Sequence, residues 1–303
     1  MVGTGFQQQF TASGTRRGVV AMFVAVAVFA LMDALLKELA AFYPPLQVAG
    51  LRSAASLPFL VGPLLLLGKI RELKPVTLRY HLLRGVLGIV MLPLFVYAVK
   101  NQSLTATYGI FMCAPLMIVA LSALLLREQV DGGRWLAVGA GLAGVWIMLQ
   151  PDVSQFERSA GLAALGSAVC YALAAVTTRR LTISDTPYSV MFSFLLIVAV
   201  ACLLLAIPAW VPVRAEHWLL ITLAGLLGAI AQYTITEAFR LAPASTIAPI
   251  EYTALFWGIA LDFTWWSAKP GLRLLLGAVL VVAAGLYVLH RESTTTRIPL
   301  TTE

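Results

Sequence analysis

A chain of 303 residues that is 60% hydrophobic and only 12% charged, with a mean hydropathy of +0.89, has too few polar side chains to cover a globule in water. Soluble domains keep about a quarter of their residues charged, so the solvent for most of this chain is a bilayer. In that setting the net charge of +7 indicates basic loops on the cytoplasmic side and not a nucleic-acid partner.

Residues 1–15, rich in Gln, Thr and Gly, show no periodic apolar face and are expected to form a disordered cytoplasmic tail. Arg16 and Arg17 then open an apolar run. It is too long for a signal peptide and lacks a small-residue cleavage site, so it is read as a retained helix. The apolar runs predict spans at 18–37, 46–68, 82–99, 105–126, 134–150, 160–179, 188–209, 216–238, 244–266 and 271–290. Each approaches the ~20 residues that cross a ~30 Å hydrocarbon core. Residues 293–303 form a second polar tail. The expected fold is therefore an all-α integral membrane protein with ten transmembrane helices.

The loop charges set the orientation. With the N-terminus inside, the inner segments hold Arg16, Arg17, Lys69, Arg71, Lys74, Arg79, Arg84, Arg127, Arg134, Arg179, Arg180, Arg240, Arg291 and Arg297. The outer segments hold only Lys100, Arg158, Arg214, Lys269 and Arg273. That asymmetry places both termini in the cytoplasm.

The two halves also resemble each other. Gly18 to Lys37 aligns without a gap on Gly161 to Arg180, residues 97–100 align on 237–240, and Gly144 and Gly285 close the fifth and tenth spans. Five crossings per half turn the second repeat upside down, giving an expected 16–151 and 152–292 division into two inverted five-helix repeats, the architecture of many secondary transporters. Small residues at Ala140 and Gly144, Ala224 and Gly228, and Gly225 and Ala229 have the spacing that lets helices approach closely in lipid.

Cys113, Cys170 and Cys202 lie within spans without ligand spacing, and His81, His217 and His290 sit at span ends. No metal site and no cofactor are expected. An intramembrane enzyme would need a nucleophile with a base, or a metal, at membrane depth. No phosphate-cradling Gly-Lys loop is present to drive an ATP pump.

Charged groups inside a span cost ~2.5–3.5 kcal/mol each on insertion scales and need a reason. Asp33 lies about one turn inside the outer end of the first span, with Lys37 one turn further on and Arg52 entering from the second span. It either neutralises one of these cations or serves as a contact for a substrate amine or as a proton carrier. Glu251 follows Pro249, whose missing N–H frees a carbonyl one turn earlier, a break tolerated where it faces protein or a cavity. It is either a substrate or proton contact or a partner for an arginine or the freed backbone. Pro115 is a second expected kink. Asp262 faces either an outer vestibule or Lys269. Phe29, Tyr97, Tyr108, Phe111, Tyr171, Gln232, Tyr233, Tyr252 and Trp257 are candidate cavity lining, since binding sites combine apolar walls with a few orienting polar groups. Trp210, Trp218, Trp265 and Trp266 are read as an interfacial belt.

Residues 114–129, APLMIVALSALLLREQ, and 248–258, APIEYTALFWG, resemble the fourth- and ninth-span patterns of the EamA branch of the drug/metabolite transporter superfamily. Glu128 fits the family Glu, Arg127 replaces the usual Gly, and Ala268 stands where many members place a second Glu. The resemblance implies a ten-helix bundle around a central cavity, built mainly from spans 1, 3, 4, 6, 8 and 9, with alternating access to a small metabolite. It further implies a bacterial-type inner-membrane carrier, with amino acids, aromatic ones foremost, as the first expected cargo. A broader drug or lipophilic-cation efflux carrier, in which Asp33 and Glu251 bind the cation, is the alternative. Expected partners are the small-molecule substrate, the lipid bilayer and protons as candidate coupling ions, and a monomer suffices.

Overall fold

The computed structural model describes residues 12–125, 132–149, 158–181, 185–241 and 250–295. Its α-helices are α1 (Ala12–Phe42), α2 (Pro45–Leu66), α3 (Leu78–Asn101), α4 (Leu104–Phe111), α5 (Ala114–Leu125), α6 (Gly132–Leu149), α7 (Arg158–Leu181), α8 (Pro187–Ala206), α9 (Trp218–Leu241), α10 (Ala254–Trp266) and α11 (Leu272–Thr295). Among the described residues there is no strand. Backbone groups in hydrocarbon must all be satisfied by the protein, and helices do so within their own segment. Six helical stretches are long and apolar enough to cross a membrane, and three shorter apolar ones accompany them at Leu104–Ile118, Trp135–Leu149 and Leu272–Val288. This is a multi-pass membrane protein. α1 begins at Ala12 and α11 runs to Thr295, so helix extends into stretches read from sequence as polar tails.

The fourth apolar run is two helices. α4 ends at Phe111, Met112 and Cys113 form a turn, and α5 starts at Ala114 with Pro115 in its first turn. A proline there cannot donate back to α4 and is preorganised to start a helix, so the chain breaks just before it. A second break, at Tyr252 and Thr253, follows Glu251 and precedes α10. Pro249 lies outside the described residues, whereas Pro58, Pro63 and Pro93 sit inside α2 and α3 without ending them.

The packing is interleaved between halves. α1 lies along α9 and α3 along α7; α2 touches both α8 and α9, while α8 touches α3; α1 meets α10 and α5 meets α7. Exchanging the first set of helices for the second converts each of these pairings into another on the list, and leaves α2 with α8, α4 with α10 and α6 with α11 unchanged. Small residues make the closest of these contacts possible. A Cβ on Gly144 of α6 would stand 2.7 Å from the Gly277 carbonyl of α11, and one on Gly277 would stand 2.6 Å from the Gly144 carbonyl. On α9, a Cβ on Gly225 would press on the Ala55 backbone of α2 at 2.5 Å. Without a hydrophobic drive between helices in lipid, such backbone approach supplies the packing attraction.

Two buried clasps tie the ends of the bundle. At one end the Tyr43 hydroxyl contacts His217 Nδ1 at 2.8 Å and accepts from the Arg214 amide at 3.0 Å. Gln47 beside it exchanges two hydrogen bonds with the Val211 backbone, at 2.6 and 3.0 Å. At the far end of α2, Asp185 accepts from the Val76 amide at 2.6 Å and from the Thr77 hydroxyl, and contacts His81 Nε2 at 2.9 Å. In each case a turn from one half grips a histidine at the start of a helix from the other.

Candidate functional site

Asp33, in the last third of α1, is buried and accepts a hydrogen bond from the Tyr108 hydroxyl of α4 at 2.7 Å. Arg52 of α2 is buried within electrostatic reach of Asp33 and donates through Nε to the Met32 sulfur at 3.2 Å. The third wall is α9. Gly228 leaves room there, since a Cβ on it would stand 3.1 Å from the Ser56 hydroxyl and 3.2 Å from the Met32 sulfur that Arg52 contacts. A buried charge needs a counter-group, and α1, α2 and α4 together provide an acid, a tyrosine and an arginine.

A second trio of the same composition involves α3, α7 and the segment before α10. Tyr171 of α7 lies within electrostatic reach of both Glu251 and Arg84. Arg84 of α3 stacks on the Phe194 ring of α8, 4.5 Å from its centroid, and donates to the Val190 carbonyl at 3.0 Å. The acid and tyrosine of the two trios sit on corresponding elements with their roles exchanged, whereas the arginines, on α2 and α3, do not correspond. The acid is on α1 and its tyrosine on α4 in the first, while the tyrosine is on α7 and the acid just before α10 in the second.

Aromatic rings connect them. Tyr108 stacks with Phe95 at 6.4 Å, Phe95 meets Phe111 edge-on at 5.7 Å, and Phe111 reaches Tyr171 at 5.2 Å. These distances fall in the range preferred by aromatic pairs. Phe95, Phe111 and Tyr171 remain partly exposed, so the ladder is not sealed into the core.

Other sequence candidates are placed differently. Lys37 does not bridge Asp33. Its ammonium donates to the Gln102 carbonyl at 2.6 Å and lies 4.8 Å from the Trp266 ring centroid. Asp262 faces neither an outer vestibule nor Lys269. It is buried and accepts from the Leu104 and Thr105 amides at 3.0 and 2.7 Å, and from the Thr105 hydroxyl at 2.6 Å. It thereby caps α4 from α10, where Gly258 allows contact, because a Cβ there would meet Tyr108 at 2.8 Å. Tyr97 pairs with Ser159 at 3.2 Å, Phe29 packs with the α1–α9 core, Gln232 is half-buried, and Tyr233 is 51% exposed on α9. Trp257 packs between Phe23 and Phe256 at 5.7 and 5.4 Å, with its indole N–H buried and without a partner. Tyr252 is buried over Gly285 and lines an apolar groove of about 440 Å³ between α10 and α11. That groove holds no charged side chain, so it does not fit a polar metabolite.

Arg84 was counted from sequence as an inner loop charge. Its position two residues inside the third apolar run was the available signal. Ser193, His81 and Asp185 line up in the order of a hydrolase triad, yet the His81 and Asp185 side chains are fully enclosed and Ser193 donates to the Ser189 carbonyl at 2.7 Å. The trio closes the clasp between α3 and α8. Among the described residues no group of His, Cys, Asp and Glu could hold a metal ion.

A multi-pass helical bundle with charged trios at the two ends of an aromatic ladder, one buried and one half-buried, is organised as a membrane transporter and not as a catalyst. The EamA-like transporter family matches residues 16–150 and 158–289, and the chain belongs to that family. Similar proteins include the riboflavin transporter of Vibrio cholerae, 29% identical over 256 residues that cover 84% of this chain and 86% of that protein. The pseudopaline exporter CntI of Pseudomonas aeruginosa is 29% identical over 279 residues, covering 89% and 94%. The S-adenosylmethionine uptake transporter of Rickettsia prowazekii is 22% identical over 212 residues, covering 70% and 72%. A solved crystal structure superposes with a TM-score of 0.62 at 21% identity over 93% of this chain and 99% of the other, a likeness of fold.

Proposed function

We propose that the chain is an alternating-access secondary transporter of a bacterial-type inner membrane that carries a small metabolite bearing a flat ring. Ten spans form two inverted five-span repeats with both termini in the cytoplasm, the trios at Asp33 and Glu251 lie at different depths between them, and rocking of the halves exposes the ladder to each side in turn. Tyr108 and Tyr171 line the path, Asp33 and Glu251 tune its charge, and either acid can serve a coupling proton. One observation carries this reading. The Tyr108–Phe95–Phe111–Tyr171 ladder runs between two charged trios, which suits a cargo with a ring to stack and polar ends to hold.

Aromatic amino acids are the first cargo. A flavin-like heteroaromatic is the second reading, favoured by the 29% identity to a riboflavin transporter. Lipophilic cations fit less well, because each trio contains an arginine as well as an acid. Purified protein in liposomes, given tryptophan, phenylalanine, riboflavin and tetraphenylphosphonium with and without a pH gradient, separates the cases. Entry of the ring-bearing metabolites supports the assignment. Entry of the cation alone overturns the cargo, and no gradient effect removes the proton role from both acids.

A further inference from the structure

We propose that Arg84 anchors a carboxylate of the cargo, an inference that rests on the reading of the ladder as its binding path. Arg84 lies about two turns inside α3 and two residues inside its apolar run, where an unpaired charge is costly. A guanidinium carries five N–H donors in a fixed fork. Here one donates to the Val190 carbonyl at 3.0 Å, the plane rests on Phe194, and Nε is buried with no hydrogen-bond partner. Among the described residues no carboxylate lies within ion-pair distance of it.

Comparison with the other buried charges sharpens the point. Arg52 faces Asp33, Lys37 the Gln102 carbonyl, Asp185 faces His81, and Asp262 the amides of α4. Lys37 and Arg84 are held alike, each by a backbone carbonyl and a ring, but Arg84 also buries an Nε donor without a partner, while Glu251 acts on Tyr171 from the other side. The arginine is therefore held in place by a carbonyl and a ring while its fork stays available. A planar fork matches a carboxylate with two parallel hydrogen bonds, and a ligand that enters and leaves is the group that completes it. With the ring of such a ligand on Phe111 and Tyr171, an ammonium group would fall to Glu251, so the favoured cargo is a zwitterion or an aromatic acid.

The test uses the full chain in liposomes and compares uptake of L-tryptophan, indole-3-acetate and L-glutamate with L-tryptophanamide and riboflavin, which lack the carboxylate. The wild type is expected to favour tryptophan over its amide by about tenfold or more. Arg84→Gln should reduce that preference to within about twofold, read as the ratio of tryptophan to tryptophanamide entry in the same preparation. Arg84→Lys should keep part of it, since a point charge replaces the fork, and this variant decides the matter if Arg84→Gln does not fold. Equal handling of acid and amide by the wild type, or a preference surviving in both variants, overturns the anchor and leaves the ladder reading intact. If ring-bearing probes do not enter but glutamate does, in an Arg84-dependent way, the ladder reading falls and the anchor stands. Entry of none of these probes overturns both.

Discussion

Lys37 and Asp262, one in each half of the chain, hold opposite ends of the same turn. Lys37 donates to the carbonyl of Gln102, which caps the end of α3, and Asp262 accepts from the first amides of α4. A cation at a helix C-terminus and an anion at an N-terminus both oppose the helix dipole favourably, so α1 and α10 fix the corner that delivers Tyr108 to Asp33. Asp262→Ala should lower unfolding stability by about 2–4 kcal/mol by stranding two buried amides. Asp262→Asn, which keeps an acceptor, should cost less. Thermal unfolding of the purified variants checks the order.

The hydrogen bond between Tyr108 and Asp33 predicts a specific pattern. Tyr108→Phe keeps the ring on Phe95 and removes only the donor, so it should cost about 1–3 kcal/mol where the carboxylate is left charged and buried. Asp33→Asn removes the need for that donor. It also leaves the buried Arg52 without its counter-charge, so the double variant should lose less than the sum of the two single losses, and a double-mutant cycle reports the coupling. Fully additive losses would show that the pair does not act as a unit.

Close backbone approach at Gly144 and Gly277 leaves no space for a side chain on either helix. Gly277→Val should separate α6 from α11 and reduce the yield of folded protein in detergent, with a loss of about 1–3 kcal/mol from overpacking. The same change at Gly139, where a Cβ meets nothing within 4 Å, should be tolerated. Expression and size-exclusion profiles of the two variants provide the comparison.

Asp185 serves three groups of the other half at once, Val76, Thr77 and His81. Asp185→Ala should open the turn before α3, at a cost of about 2–4 kcal/mol for unsatisfied buried groups. Faster hydrogen exchange at the Val76 amide is the expected sign, with little change at Arg214 in the clasp at the other end.

Much of this architecture could be read from composition and pattern. Apolar runs marked where the described helices lie, although α1 and the last helix reach beyond theirs, and Pro115, an expected kink, marked the break between α4 and α5, because a proline without an N–H cannot continue the turn before it. Asp33, Tyr108, Phe111, Tyr171 and Glu251 were singled out as polar or aromatic residues at membrane depth, and the structure brings them to the two trios and the ladder. Partners were another matter. The spacing of Asp33 and Lys37 suggested a pair, but helix spacing gives only a shared face, and α3 offered Lys37 a carbonyl instead. Asp262 and Arg84 looked like loop or vestibule charges because their counter-groups, the amides of α4 and the ring of Phe194, are distant in sequence. Phe95 escaped notice because an aromatic residue inside an apolar run carries no signal of its own until its neighbours are known.

The pairing of α1 with α9 and of α3 with α7 bears on how the protein is made. Each half matches the family as a unit, at 16–150 and 158–289, yet each keeps its principal neighbours in the other half. As the ribosome releases the first half, Asp33, Arg52 and Gly225's future neighbour Ala55 enter the membrane with one wall still unsynthesised. The nascent chain must shelter those groups until α9 arrives. The wall around Asp33 is thus completed only once α9 has been made, so assembly of that site is a late event in translation.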